Sequence, residues 1–167
     1  MLRTLLAAGG LFLAVSGTGA QKDAPAQDKD WKDLRIAAKT AWYYGALDRG
    51  TPPKQVVLRT PAELLSQIGF RTVTPEALKA SNEIARLLGV AEIDWKKHMV
   101  LVVTGGVKPT GGYRVDLLSV KAKEKKAVAK WSLSLPEGAG APGITNPGIV
   151  ALVDRFEGKI EFVQEGK

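Results

Sequence analysis

Residues 99–117 read Met-Val-Leu-Val-Val-Thr-Gly-Gly-Val-Lys-Pro-Thr-Gly-Gly-Tyr-Arg-Val-Asp-Leu. The first five are apolar without a break, which predicts a β-strand covered on both faces, since a strand with one wet face alternates. The far end does alternate: Tyr113, Val115 and Leu117 are set against Arg114 and Asp116, the pattern of a half-buried strand. Between the two runs, Thr104–Tyr113 holds four glycines and one proline in ten residues. Glycine admits positive φ, while Pro109 fixes its own φ and biases Lys108 towards extended backbone. Two strands joined by a glycine-rich connection set the fold, and no helix is expected after the loop.

Downstream, Ala127, Ala129, Trp131, Leu133 and Leu135 alternate with Lys130, Ser132 and Ser134. Ile149–Val153 and Ile160–Val163 supply two further strands, with Glu157-Gly158-Lys159 read as a tight turn between them. Five strands on short turns imply an antiparallel sheet, folded over as a sandwich or partial barrel. Trp131 and Phe162 are expected in its core; Tyr113 is left open.

Upstream, Gln55–Arg59 is a short β-type run. Thr60-Pro61-Ala62-Glu63 then has the form of a capping box, with Glu63 returning to the cap nitrogen and Pro61 where no N–H is needed. A short helix should run to Ile68 and stop at Gly69. Thr74-Pro75-Glu76 repeats the start signal, and a stripe of Leu78, Ala85 and Leu88, with Ile84 beside it, ends at Gly89. This is expected to be the longest helix after residue 20. Trp42-Tyr43-Tyr44 fits either an edge strand or a short helix from Asp33 to Ala41 running into a turn. The fold class is α+β: an antiparallel, sandwich-like C-terminal half with one or two helices packed on it.

Residues 1–20 read as an export signal, with Arg3 as the lone charge, an apolar run from Leu5 to Val15, and small residues before a cut after Ala20. No Cys follows, so no lipid anchor is expected. Residues 21–32 read as a mobile polar leader and 33–167 as a single domain. The expected location is exported, periplasmic or secreted, without stable membrane insertion.

The 167-residue chain carries a net charge of +7, with one His and no Cys. Disulfides, thiolate nucleophiles and multi-His metal centres are therefore excluded. Asp94–Lys130 holds nine basic and three acidic residues, but Trp131 is the one aromatic near Lys121, Lys123, Lys125, Lys126 and Lys130, which disfavours nucleic acid. Those lysines read as a solvated hairpin end that discourages edge pairing. His98 follows Lys96-Lys97 at a strand entrance, and no Ser has a nucleophile-elbow setting. Asp94, Asp116 and Asp154 are scattered singly, so paired-carboxylate chemistry is not indicated. No catalytic residue, cofactor or metal site is assigned.

The glycine loop carries the functional content. Gly106 and Gly111 have phosphate-loop spacing, but Gly112 and Tyr113 stand where Lys and Ser or Thr would be required, and a strand follows. The remaining reading is a protein-binding loop of Lys108, Pro109, Thr110, Gly111, Gly112 and Tyr113. The stretch Pro136–Gly148, with seven of thirteen residues Gly or Pro, is the other candidate surface. If it lies at the same end of the sheet as Gly111-Gly112, the two form one continuous edge.

These residues suggest a family. Asp94-Trp95, Gly106, Pro109-Thr110-Gly111-Gly112-Tyr113, Pro136, Pro147 and the Val153…Phe162 pair make residues 93–163 resemble the PrcB C-terminal domain. The resemblance implies an exported, non-catalytic accessory module that binds protein and assists a cell-surface protease complex. The loop is also similar to the Asn-Pro-Thr-Thr-Gly-Tyr element of chagasin-type cysteine-protease inhibitors, with Lys108 in place of Asn and Gly111 in place of the second Thr. That family's other loops are a Gly-rich turn and an Arg-Pro-aromatic element; Gly138-Ala139-Gly140 and Arg155-Phe156 are faint echoes of them, with no Pro between Arg155 and Phe156. That resemblance implies a rigid backbone wedge anchored by Tyr113.

Overall fold

The computed structural model describes residues 30–43, 52–67, 82–136, 138 and 140–166. In chain order the elements are β1 (Lys32–Asp33), β2 (Ile36–Tyr43), β3 (Gln55–Leu58), α1 (Pro61–Gln67) and α2 (residues 82–87). There follow β4 (His98–Thr104), β5 (Lys108–Thr110), β6 (Arg114–Lys123), β7 (Lys126–Ser134), β8 (Pro142–Thr145), β9 (Pro147–Asp154) and β10 (Lys159–Gln164). The strands form one sheet in the order β2-β9-β4-β3, a second in the order β1-β6-β7-β10, and a two-stranded ribbon β5-β8.

The unbroken apolar run explains the layering. Its odd-numbered side chains, Met99, Leu101 and Val103, join Ile149, Ala151 and Val153 of β9 against Val115, Leu117, Val120, Ala129 and Trp131 of the facing sheet. Its even-numbered ones, Val100 and Val102, join Val150 and Leu152 against Leu64 of α1 and Ile84, Ala85 and Leu88 at α2. The sheet β2-β9-β4-β3 is thus the middle of three layers, with a sheet on one side and helices on the other. Each Val, Leu, Ile or Met among them contributes about 1.5–3 kcal/mol by leaving water. The fold class is α+β, as the patterning implies.

Local signals hold where they fall on described residues. Glu63 N donates to Thr60 Oγ1 (3.2 Å), but the Glu63 carboxylate accepts from Arg59 N (2.5 Å), one residue before the cap nitrogen expected from the motif. Gly89 (φ 72°) ends the α2 segment in a Schellman arrangement: Val90 N donates to Ala85 O and Gly89 N to Arg86 O, each at 3.0 Å. The helix start at Thr74-Pro75-Glu76, the stop at Gly69 and residues 1–20 lie outside the described residues. The Trp42–Tyr43 alternative resolves to strand: β2 is an edge strand paired antiparallel with β9. The polar leader ends earlier than residue 32, since Lys32 pairs opposite Ala122 and Asp30 meets Lys123 at 2.9 Å.

Several expectations are corrected. Glu157-Gly158-Lys159 is not a hairpin turn. β9 already has β2 and β4 on its two edges, so β10 crosses to the other sheet and pairs parallel with β7, from Lys159↔Lys126 to Gln164↔Trp131. There it packs Ile160 and Phe162 against the core. The alternation in β6 breaks at Leu118, an extra residue between Leu117↔Trp131 and Ser119↔Lys130; the buried face resumes at Val120 and Ala122. Leu118 is left 46% exposed. Leu135 lies beyond β7 and is 67% exposed, not on the buried face of the run. His98 is half-buried, with Nδ1 buried and no hydrogen-bond partner among the described residues.

Ion pairs stitch β10 in place. Glu161 meets Lys126 (2.9 Å) and Lys159 (3.5 Å), and Glu165 meets Lys130 (2.5 Å). The lysines of the hairpin end are therefore largely answered by carboxylates. The hydrogen bond from Lys126 and the charges of Lys126 and Lys159 hold the Glu161 carboxyl below its ordinary value of 4.5, against the opposing effect of desolvation. The bond from Arg155 does the same for Glu157. A carboxyl depressed on folding stabilises at neutral pH, and that contribution is lost as pH falls through its lowered folded value. Urea midpoints should be flat from pH 7 to 5 and fall below pH 4.5. Glu161→Gln should make the fall shallower, and an unchanged slope would count against this assignment.

Candidate functional site

The glycine-rich segment occupies one end of the sandwich. Thr104, the last residue of β4, is fully buried; its N donates to Lys54 O (2.8 Å) and its Oγ1 accepts from Lys54 N (2.9 Å). Gly105 N donates to Pro147 O at 2.8 Å. The chain then leaves the sheet as β5, pairing with β8 through Lys108↔Thr145 and Thr110↔Pro142. Thr145 Oγ1 donates to Thr110 O (2.9 Å) and Gly111 N to Ala141 O (2.8 Å), extending the ribbon past its paired residues. Hence the 108–113 loop and the 136–148 stretch do share one end, and the second of them contains a strand where a structureless loop was expected.

The six loop residues have distinct settings. Pro109 and Gly112 are exposed, and Lys108, Thr110, Gly111 and Tyr113 are half-buried. Lys108 Nζ stands 5.7 Å from the centre of the Tyr113 ring, a cation–π pair that orients both side chains. Positive φ falls at Gly106 (74°) and Gly112 (86°), not at Gly111. A strand, β6, follows directly.

Gly112 is the conformational hinge between ribbon and sheet. A Cβ there would meet Pro136 Cβ at 2.6 Å in a backbone state that side-chain-bearing residues rarely adopt. At Gly111 a Cβ would meet Ala141 Cβ at an ordinary 3.4 Å. Gly112→Ala should therefore cost about 1–3 kcal/mol by strain and overpacking, and Gly111→Ala less than about 0.5 kcal/mol. Equal thermal midpoints for the two variants would contradict this geometry.

Two open grooves flank the start of β6. One, of about 440 Å³, is lined by Gly112, Arg114, Ser134, Leu135, Pro136 and Ala141, with Gly140 beside them. The other, of about 380 Å³, is lined by Ala41, Tyr113, Arg114, Val115, Pro147 and Gly148. Arg114 is the partition between them. The sequence reading stopped at Tyr113 and missed Arg114, Ser134 and Leu135. The signal available was an alternating strand beginning with an exposed Arg beside the hinge, and an apolar Leu135 just before Pro136.

Among the described residues, no group of three or more His, Asp or Glu side chains is placed to hold a metal ion. Among them also, no helix is long and apolar enough to cross a membrane. In comparisons with known proteins, no family model, no curated protein and no solved structure matches the chain.

Proposed function

We propose that this is an exported, non-catalytic protein-binding module of the PrcB C-terminal-domain type, which assists or stabilises a secreted or cell-surface protease. The observation that carries this reading is the ribbon of β5 and β8, which projects the Lys108–Tyr113 segment from a rigid sandwich and braces it at Gly111 and Thr110. A loop fixed in this way loses little conformational freedom on binding.

Site-specific photocrosslinking tests it. With benzoylphenylalanine at Thr110 in cells exporting the protein, irradiation should yield an adduct containing a protease or a subunit of its complex. The same probe at Lys125, in the turn between β6 and β7, should yield none. Absence of a Thr110 adduct, or equal adducts from both positions, would overturn the reading.

A second reading, chagasin-like inhibition, is favoured by the same loop standing at one end of two facing sheets. It separates cleanly from the first. Under the accessory reading papain keeps its activity in a molar excess of the protein, whereas stoichiometric loss would establish inhibition.

A further inference from the structure

The charge distribution around the ribbon is one-sided. Among the described residues of 52–55, 103–114, 133–136, 138 and 140–150, the charged side chains are Lys54, Lys108 and Arg114, all cationic. Among the described residues, the carboxylates that approach this end are already engaged. Asp116, two residues along β6 on the same face as Arg114, meets Lys39 at 2.6 Å, and Glu165, at the end of β10, meets Lys130 at 2.5 Å. Lys108 is drawn over Tyr113. The Arg114 side chain has neither a hydrogen bond nor an ion pair among the described residues, although it stands between two grooves.

We propose that Arg114 and its two grooves bind an extended peptide segment in which an acidic residue has apolar residues two positions to either side. This rests on the protein-binding reading above and names the chemistry of the partner. A guanidinium takes a carboxylate through two parallel N–H···O bonds, which fixes orientation as well as charge. With a carboxylate seated on Arg114, the side chains two positions before and after it in an extended segment share its face, one to either side. One of them reaches Leu135 and Pro136, the other Tyr113, Val115 and Pro147. Leu135, two-thirds exposed, supplies apolar surface on the lining of the first groove. A flat polyanion would find its charges on an exposed face; here the cation lies between concavities sized for side chains.

The test is fluorescence anisotropy on the full chain. The probe is fluorescein-labelled Ser-Val-Ser-Glu-Ser-Val-Ser-Gly amide, compared with its Gln counterpart and with polygalacturonate as unlabelled competitor. The acidic peptide should bind about tenfold more tightly than the neutral one, and Arg114→Gln should abolish about that tenfold difference. Lys125→Gln removes the same charge roughly 30 Å away, at the other end of β6, and should change affinity less than about twofold. Leu135→Ser should weaken the acidic peptide about threefold or more without equalising it to the neutral one. Thermal melts of each variant confirm folding, since Arg114 and Leu135 are exposed.

Equal binding of the acidic and neutral peptides overturns the proposal, as does equal weakening by Arg114→Gln and Lys125→Gln. Arg114-dependent binding of polygalacturonate without binding of the peptide overturns it in favour of a polysaccharide. A Thr110 crosslink to a partner together with no acidic preference sinks this inference alone and leaves the protein-binding reading standing.

Discussion

Gly158→Ala is expected to destabilise the protein by about 3 kcal/mol, far more than a surface substitution ordinarily does. A Cβ at this position would run into the carbonyl oxygen of Lys125, with the carbonyl carbon at 2.5 Å and the Phe156 ring at 2.6 Å. Neither obstacle can yield cheaply. The Lys125 oxygen accepts the Lys159 N–H at 2.9 Å, the first rung where β10 joins β7, and Phe156 packs against the main core. The φ of Gly158 is not in the left-handed region, so the cost comes from close approach of two backbones and not from torsional strain. Chemical denaturation of wild type and variant measures it. A loss smaller than about 0.5 kcal/mol would mean that the crossover does not press on the β6–β7 turn.

Arg155→Ala is the second large effect, at about 2–4 kcal/mol. One nitrogen, Nη1, donates to the carbonyls of Arg59 (2.7 Å) and Trp95 (2.5 Å), while Nε donates to Glu157 (2.6 Å). Arg59 answers across the same gap, donating Nε to Phe156 O (3.0 Å) and Nη2 to Gly158 O (2.8 Å). The two arginines thus clasp the β9–β10 crossover to the end of β3 and to the loop before β4. Arg155 is 25% exposed, so water can replace only part of what is lost. Arg155→Lys should recover little, because an ammonium cannot reproduce the planar fork. The Arg59→Ala, Arg155→Ala pair should fall short of additivity, since both act on one segment. A lysine variant as stable as wild type would disprove the clasp.

How far the chain could be read depended on whether a signal was local. The apolar run at 99–103 and its two covered faces, the cap at Thr60 and the stop at Gly89 all follow from neighbours in sequence, and all appear in the fold. The shared end of the two Gly- and Pro-rich stretches was legible as a condition, and the β5–β8 pairing meets it. What stayed hidden was non-local. The occupancy of both edges of β9 sends β10 to another sheet, and no pattern within residues 155–164 records those neighbours. The bulge at Leu118 was hidden because the segment still contains alternating apolar residues, merely out of phase. Arg114 escaped notice because each groove beside it is built by three separate segments.

The parallel register of β7 and β10 bears on how the chain reaches its native state. β7 ends at Ser134 and β10 begins at Lys159, so β8 and β9 are made before the partner of β7 exists. Long-range pairings of this kind are slow to form, and an unpaired strand edge invites another copy. While the partner is missing, Lys126 and Lys130 place positive charges along that edge and repel a like chain. Glu161 on β10 and Glu165 just beyond it then arrive and neutralise them. The same lysines act as sentries in the unfinished sandwich and as latches in the finished one.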